Sequence, residues 1–439
     1  MSRASLLVLA VGLAGCAAFA PRPPVGPQPL PEAWRPEVTI RERIVAKSSG
    51  EIVLNDKDGL SPDVAAVMAL DRNPRLRAIR AERGIARAEI ISAGILPNPR
   101  LDGTLTFPVA GDATVLGFGG GVTWNVTPLI ARGPKVEAAE ESSRSVDLEV
   151  AWQEWQVAQV ARLGTVRAIF LERRIAVARA AEQSWRERLD ALRKASEARA
   201  VTDLDVASAE RSLAEARVGR LELQQKLASE RVSLNQAIGL DPGATPALDA
   251  SWSSAGARPA LAGLLDGLPQ RRLDLLALQH AARSNDQAER AAVLSQFPPV
   301  ELGVHAAREV DGVGSAGVSL TFDVPFFDRS QGNVAREHGR RLQLEAEYDA
   351  RLADARADVV RAEKEIELVV EQLVAAKETA AAASRLAEQA RGAATGGALS
   401  PILAAEAQDR SLASQLRVLE IEGTLAELEV ARSLASGTH

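Results

Sequence analysis

The chain of 439 residues is mildly acidic, with a formal net charge of −6, and only 3% of its residues are aromatic. Ala, Leu, Glu and Arg are abundant, the composition of long packed helices. Charges of both signs are mixed along the chain, which argues against a nucleic-acid surface. The single cysteine excludes a disulfide or a cysteine metal site.

The N-terminus has a basic start, Ser2-Arg3, followed by the apolar run Leu6–Leu13. This is the form of a secretory signal over residues 1–15. The run is too short to span a bilayer, which takes about 20 apolar residues. It ends in Leu13-Ala14-Gly15-Cys16, which looks like the lipobox of bacterial lipoproteins, so Cys16 is the expected lipid anchor and Ala17 after it goes with export to the outer membrane. Seven prolines in residues 21–36 make 16–58 an extended spacer. No later apolar run approaches the length of a transmembrane helix.

From residue 59 the chain reads as helix, two strands, a long helix and a return helix, and then repeats. A first helix over 61–95 ends in Leu96-Pro97-Asn98-Pro99, and its counterpart over 260–296 ends in Phe297-Pro298-Pro299. Apolar and polar residues then alternate, the period of a strand. Leu101, Leu105, Phe107 and Val109 oppose Asp102, Thr104 and Thr106; Val122, Trp124 and Val126 oppose Gly121, Thr123 and Asn125. In the second half Val300, Leu302 and Val304 oppose Glu301, Gly303 and His305, and Val318, Leu320, Phe322 and Val324 oppose Ser319, Thr321 and Asp323. Each strand is expected to run nine to eleven residues, and each pair to form a hairpin around a glycine-rich tip (Gly111 to Gly121; Gly312, Gly314, Gly317).

Both hairpins feed long helices. One runs past Arg132-Gly133 to about Ala198; the other, from about Asn333 to Arg391, would be roughly 90 Å long. In the second, Leu352, Val359, Ile366, Leu373 and Ala380 recur in sevens, with Tyr348, Ala355, Ala362, Val369 and Ala376 between them, a coiled-coil seam. Turns near 196–204 and 392–401 lead into short return helices ending at Gly239 and Gly437, about 198 residues apart. The units are therefore a first repeat over 59–241, a linker over 242–259 and a second repeat over 260–439.

Tilted strands of this length with one apolar and one polar face fit a membrane barrel. Four strands cannot close a conducting barrel, and lipid forbids open sheet edges, so the strands must be pooled with other copies of the chain. The fold class is an α+β membrane protein: a long coiled-coil α-helical barrel plus a transmembrane β-barrel, with an internal tandem repeat.

These features resemble the TolC-type outer-membrane efflux proteins over about Leu60 to Gly437. Leu70-Asp71-Arg72-Asn73-Pro74-Arg75-Leu76 resembles that family's opening helix motif, and Val324-Pro325-Phe326-Phe327-Asp328-Arg329-Ser330-Gln331-Gly332-Asn333 looks like the strand-to-helix corner of the heavy-metal, CzcC-like branch. The resemblance implies a homotrimer with a twelve-stranded barrel in outer-membrane lipid. It implies a periplasmic helical tunnel with an equatorial belt near 241–260. The helix turns would be the periplasmic tip, where Arg199, Val201, Thr202, Gly396, Gly397, Leu399 and Ser400 would meet the adaptor (a membrane fusion protein) of an inner-membrane resistance-nodulation-division-type pump. The acidic constriction that multidrug relatives carry past the second turn is replaced by Pro401 and Ala404. Asp203 and Asp205 past the first turn are the alternative constriction, or Asp203 is a helix N-cap.

No phosphate-cradling Gly-x-x-x-x-Gly-Lys motif is present, and His280, His305, His338 and His439 have no metal-ligand spacing. His305 falls on the polar face of its strand and is expected to be a solvated lumen residue rather than a metal ligand. No enzyme activity, catalytic residue, cofactor or resident metal is expected, and no nucleic-acid partner. The expected function is passive transport: the exit duct of a tripartite efflux system, conducting heavy-metal cations, or alternatively drugs or other small organic molecules. A non-conducting structural periplasmic lipoprotein is the competing class, but a scaffold has no use for bilayer-length alternating strands.

Overall fold

The computed structural model describes residues 59–109, 115–253 and 259–438. The signal, Cys16 and the spacer lie outside the described residues, as do Gly111 and His439. The elements are α1 (Pro62–Arg72), α2 (Pro74–Gly94), β1 (Arg100–Thr106), β2 (Gly117–Asn125), α3 (Pro128–Glu197), α4 (Asp203–Ile238), α5 (Leu261–Asp266), α6 (Leu268–Arg271), α7 (Leu273–Leu294), β3 (Val300–Arg308), β4 (Gly314–Phe322), α8 (Gln331–Thr395) and α9 (Pro401–Ser436).

The helix expected over 61–95 is two helices. Pro74 lacks an N–H and disfavours a helical conformation in the residue before it; Asn73 accordingly takes φ −58, ψ 118. Its side chain accepts from Arg75 N at 2.8 Å and Leu76 N at 3.3 Å, capping α2, and donates to Ala237 O at 2.8 Å. One asparagine thus joins α1, α2 and the end of α4. The helix expected over 260–296 is also broken, at Gly267 and at Arg272, which takes an extended φ −74, ψ 115. Arg272 occupies the joint. It donates to Asp274 at 3.0 and 2.6 Å and to Ala435 O at 3.3 Å, and stacks 4.6 Å from the Trp152 ring. Next to these joints, Gly239 and Gly437 end α4 and α9 with φ +71 and +67. A methyl on Gly239 would lie 2.6 Å from Arg72 O, so glycine serves both the left-handed backbone and the close approach.

The long helices are α3, of 70 residues, and α8, of 65, roughly 105 and 98 Å at 1.5 Å per residue. The return helices are not short: α4 and α9 have 36 residues each. The heptad seam of α8 is as expected. Ala355, Val359, Ala362 and Ile366 are buried, Tyr348, Leu352, Val369, Leu373, Ala376 and Ala380 are half-buried, and the pattern continues through Ala387 to Ala390. This single stripe packs on α7 towards the sheet and on α9 towards the far end. By contrast, α3 touches α1, α2, α4, α7 and α9, and it carries a longer set of buried residues, including Val150, Val166, Ile169 and Phe170. The main core lies at mid-length, where Val64, Ala65, Met68 and Ala69 of α1 pack on Ile169 of α3 and Leu234 and Ile238 of α4. The segment after α4 closes this core through Leu240, Leu248 and a bridge between Leu248 and Leu60.

The strands form one antiparallel sheet in the order β1-β2-β3-β4. The two hairpins meet at β2 and β3, where Val122 pairs with Val304 and Trp124 with Leu302. Thr127, just before α3, reinforces this seam: its hydroxyl donates to Pro298 O and accepts from Val300 N, while Val126 N donates to Val300 O at 3.0 Å. Two expectations about the hairpins need correction. Gly117, Gly119, Gly120 and Gly121 lie inside β2 and Gly314 and Gly317 inside β4, not in the tips. At two of them neighbouring side chains lie over the backbone: a methyl on Gly121 would meet the Asp102 carboxylate at 3.0 Å and one on Gly317 the His305 ring at 2.9 Å. Also, β1 is seven residues long, ending before Phe107 and Val109, while the other strands have nine.

Asp274 is 1% exposed. Asp274→Ala would leave the Arg272 guanidinium buried without its counter-charge, a loss of about 3–5 kcal/mol. Thermal unfolding of the purified protein should show a larger fall for Asp274→Ala than for the double variant Arg272→Met/Asp274→Leu, which removes both charges.

Candidate functional site

The sheet has two chemically distinct faces. Register places Leu101, Val122, Val304 and Val318 in one cross-strand row and Leu302 and Leu320 beside Trp124 in the next. The opposite face carries Asp102, Gly121, His305 and Gly317 in one row, and Arg100, Thr123, Gly303 and Ser319 in another. The aliphatic side chains of the apolar face are open, Leu101 to 80% and Val318 to 84%, with Trp124 half-buried among them, while the polar face is partly covered and Gly121 is buried. The outer edges of β1 and β4 have no strand partner among the described residues. A sheet apolar on one face, polar on the other and unpaired at both ends has not buried its hydrophobic surface within the chain. In water that is a liability; in a bilayer, with edges paired to further strands, it is a wall.

The corner between β4 and α8 is held by bonds among its own residues and by one from the Ser330 hydroxyl to Ser295 O at 3.3 Å. Asp328 Oδ1 accepts from Ser330 N at 2.9 Å, Gln331 Oε1 accepts from Arg329 N at 2.7 Å, and Arg329 Nε donates to Pro325 O at 3.2 Å. Ser330 takes φ +57, a left-handed conformation unusual for a residue with a side chain. The outcome is that Phe326 and Phe327 point away from the protein, Phe327 with 94% of its surface exposed. The corner sits at the helical margin of the sheet, a level at which aromatic residues suit a membrane interface.

At the far end of the rods the α3–α4 and α8–α9 turns share one backbone path. Ala198 and Gly396 take φ −80 with ψ 4 and 1. Arg199 and Gly397 follow in the left-handed region at φ 56 and 73, and Ala200 and Ala398 donate back to Ala195 O and Ala393 O at 2.8 Å. Arg199 therefore stands where the second turn uses glycine. Val201 and Ile402 belong to one cluster with Leu189, Leu192 and Ala209, which brings the two turns side by side. Leu399 packs on Ala387, Ala390 and Ala407. Arg199, Thr202, Gly396, Gly397 and Ser400 are exposed.

The N-cap of α4 is Thr202, not Asp203. The Thr202 hydroxyl accepts from Asp205 N at 3.3 Å, and Asp205 Oδ2 accepts from Thr202 N at 2.9 Å and from its hydroxyl at 2.7 Å, a reciprocal capping box. Asp203, one residue inside the helix, accepts from Ser196 Oγ at 3.2 Å. The Thr202 hydroxyl and amide hold the Asp205 carboxyl below its usual pKa. Further along, Arg188 of α3 reaches Asp409 at 3.3 Å and Glu406 at 3.5 Å on α9 and stacks on Trp185. Burial pushes the Asp409 carboxyl up, opposed by Arg188. Sequence reading missed this link, because an arginine and two acids 218 and 221 residues away share no local pattern.

No family model matches the sequence, and no curated protein matches it. The architecture, however, is the fold of the TolC-type outer-membrane channels. Among solved structures, CusC superposes with a TM-score of 0.71 at 17% identity, covering 96% of this chain and 99% of its own. The open state of the MtrE outer-membrane channel of Neisseria gonorrhoeae gives 0.70 at 16% identity, covering 89% and 94%. The outer-membrane protein VceC of Vibrio cholerae gives 0.69 at 16%, covering 86% and 96%.

The depressed pKa of Asp205 means that its capping contribution is fully present above the ordinary aspartate range and is lost as pH falls through the lowered value. Amide exchange at the start of α4 should therefore accelerate in Thr202→Ala and in Asp205→Ala at neutral pH, and the gap between wild type and Asp205→Ala should close on acidification. An unchanged exchange rate in both variants would remove the capping box as a structural feature of the tip.

Proposed function

We propose that this chain is the protomer of a trimeric exit duct in the bacterial outer membrane, passively conducting substrate from a periplasmic adaptor and an inner-membrane pump. The observation that carries this reading is the four-stranded sheet with opposite faces of opposite polarity and two unpaired edges, set on helices roughly 100 Å long. Three copies supply twelve strands, turn the apolar face to lipid and remove every free edge. The fold shared with outer-membrane channels supports the same assignment.

In this arrangement Cys16 carries the lipid anchor and residues 16–58 connect it to the fold. The domain plan is a first repeat over 59–241, an equatorial linker over 242–259 and a second repeat over 260–439. The helix turns form the adaptor-facing tip through Arg199, Val201, Thr202, Gly396, Gly397, Leu399 and Ser400. Asp203 and Asp205 constrict that tip. Heavy-metal cations are the cargo favoured by the resemblance of the corner at 324–333 to the metal branch. A transit route needs no tight ligands, because an ion that enters must also leave. Small organic molecules are the second cargo, favoured by the cleft described below.

Purified protein in a planar bilayer should give discrete conductance steps, and Asp203→Ala/Asp205→Ala should weaken block by divalent cations. Steps unchanged by the substitutions would retain the duct and discard the acidic constriction; folded, trimeric protein without conductance even after the turns are loosened would overturn the duct. Metabolic labelling with palmitate should mark wild type and not Cys16→Ser.

A further inference from the structure

Between α4 and α9, on the surface of α3, lies a cleft of about 420 Å³. Its floor is Phe170 and Leu171, and Leu419 forms part of its wall. Gly423 lets α9 come close at this level, since a methyl there would meet the Phe170 side chain at 3.2 Å. The cleft opens on the side of the helical layer away from the mid-length core. Arg167, Phe170, Leu171 and Arg174 form one stripe of α3, whereas Ile169, which packs on α1, lies about 200° round the helix from Arg167.

Its charges are unevenly satisfied. Arg167 is paired with Glu427 at 2.9 Å, and Glu420 with Arg417 at 2.8 Å. Arg174, Lys226 and Glu230 also line the cleft but enter no ion pair among the described residues. Arg174 Nε is buried with no acceptor. A guanidinium edge withdrawn from water without a partner is costly, and a ligand anion would supply what is missing. After the internal pairs are set aside, two cations and one carboxylate face the space, above an aromatic and aliphatic floor.

We propose that this cleft is a binding site for small organic anions, with the acid group held by Arg174 and Lys226 and the apolar body lying on Phe170 and Leu171. Glu230 opposes the ligand's charge and so sets the pH dependence. Burial raises the Glu230 pKa, while Arg167 lowers it and Glu427 raises it. As pH falls through that raised value, Glu230 loses its charge and anion binding tightens. The groups facing it are Arg167 and Arg174 on α3, Lys226 on α4, and Glu420 and Glu427 on α9. The reading rests on the proposed duct only for the conclusion that the site faces the passing substrate; binding itself can be measured without conduction.

The test uses 2-naphthalenesulfonate, whose charge does not change with pH, titrated calorimetrically into the full-length protein in amphipol. Wild type should bind saturably and more tightly as the solution is acidified. Arg174→Gln/Lys226→Gln should weaken binding at least about tenfold, in the range expected for losing charged hydrogen bonds. Glu230→Gln should tighten it several-fold at neutral pH and flatten the pH profile. Circular dichroism and trimer migration unchanged from wild type would show that the variants fold. Absence of saturable binding to wild type, equal binding by the double variant, or weaker binding by Glu230→Gln would each overturn the site. Saturable binding that follows these shifts in protein that does not conduct would count against the duct and leave the cleft standing.

Discussion

Backbone hydrogen bonding at the two ends of the sheet governs everything else in this molecule. Each outward amide and carbonyl of β1 and β4 needs a partner, and in hydrocarbon no water can serve, at a cost of several kcal/mol per group. The chain supplies nothing further to pair with these edges among its described residues. In the proposed duct the four-stranded sheet is one sector of a ring, and the exposed apolar face is the side that ring would turn to lipid. The same requirement explains the fused hairpins. Pairing β2 with β3 satisfies two of four edges within the chain and leaves two for association.

The helices solve a different problem. A rod roughly 100 Å long cannot be stabilised by a single compact core, so its burial is spread along seams. α3 lies in the middle of the layer and is contacted along several faces, while α8 buries one heptad stripe and leaves Leu342, Leu368, Val374 and Leu386 exposed. Where α1 crosses α3 and α4, Leu60, Met68, Leu234 and Ile238 form a local core that fixes the rods at mid-length. Two polar joints, Asn73 beside Gly239 and Arg272 beside Gly437, occupy corresponding places in the two halves. They do the same work with different chemistry: a neutral side chain in one, a buried ion pair stacked on Trp152 in the other.

Much of this was legible in the sequence because it is periodic. The alternation around Val304 and Val318 and the sevens from Leu352 to Ala380 are local signals that survive into the fold. Breaks were harder to read. Pro74 divides a helix whose hydrophobic pattern runs on across it, and the pattern alone gives no reason to stop. Glycine misled in the hairpins, because Gly121 and Gly317 signal turns locally but serve as floors beneath Asp102 and His305. The cap was misplaced by one residue: Thr202, Asp203 and Asp205 all suit a helix start, and only the reciprocal bonds identify Thr202 and Asp205 as the pair. The Arg188 link and the cleft beside Arg174 depend on residues brought together from α3, α4 and α9, for which the sequence carries no spacing rule.

The Thr127 hydroxyl has a mechanical consequence. It lies at the root of α3 and bonds both to Pro298 and to Val300, so the first long rod and the second hairpin are clamped at a single atom. With the Val126 to Val300 backbone bond beside it, this ties the root of α3 directly to the start of β3. Compliance is left to the opposite extremity, where α8 has lost α7 as a neighbour and rests on α9. In the proposed duct, the tied end is the end that would meet the membrane and the sparsely packed end the one that would meet the adaptor.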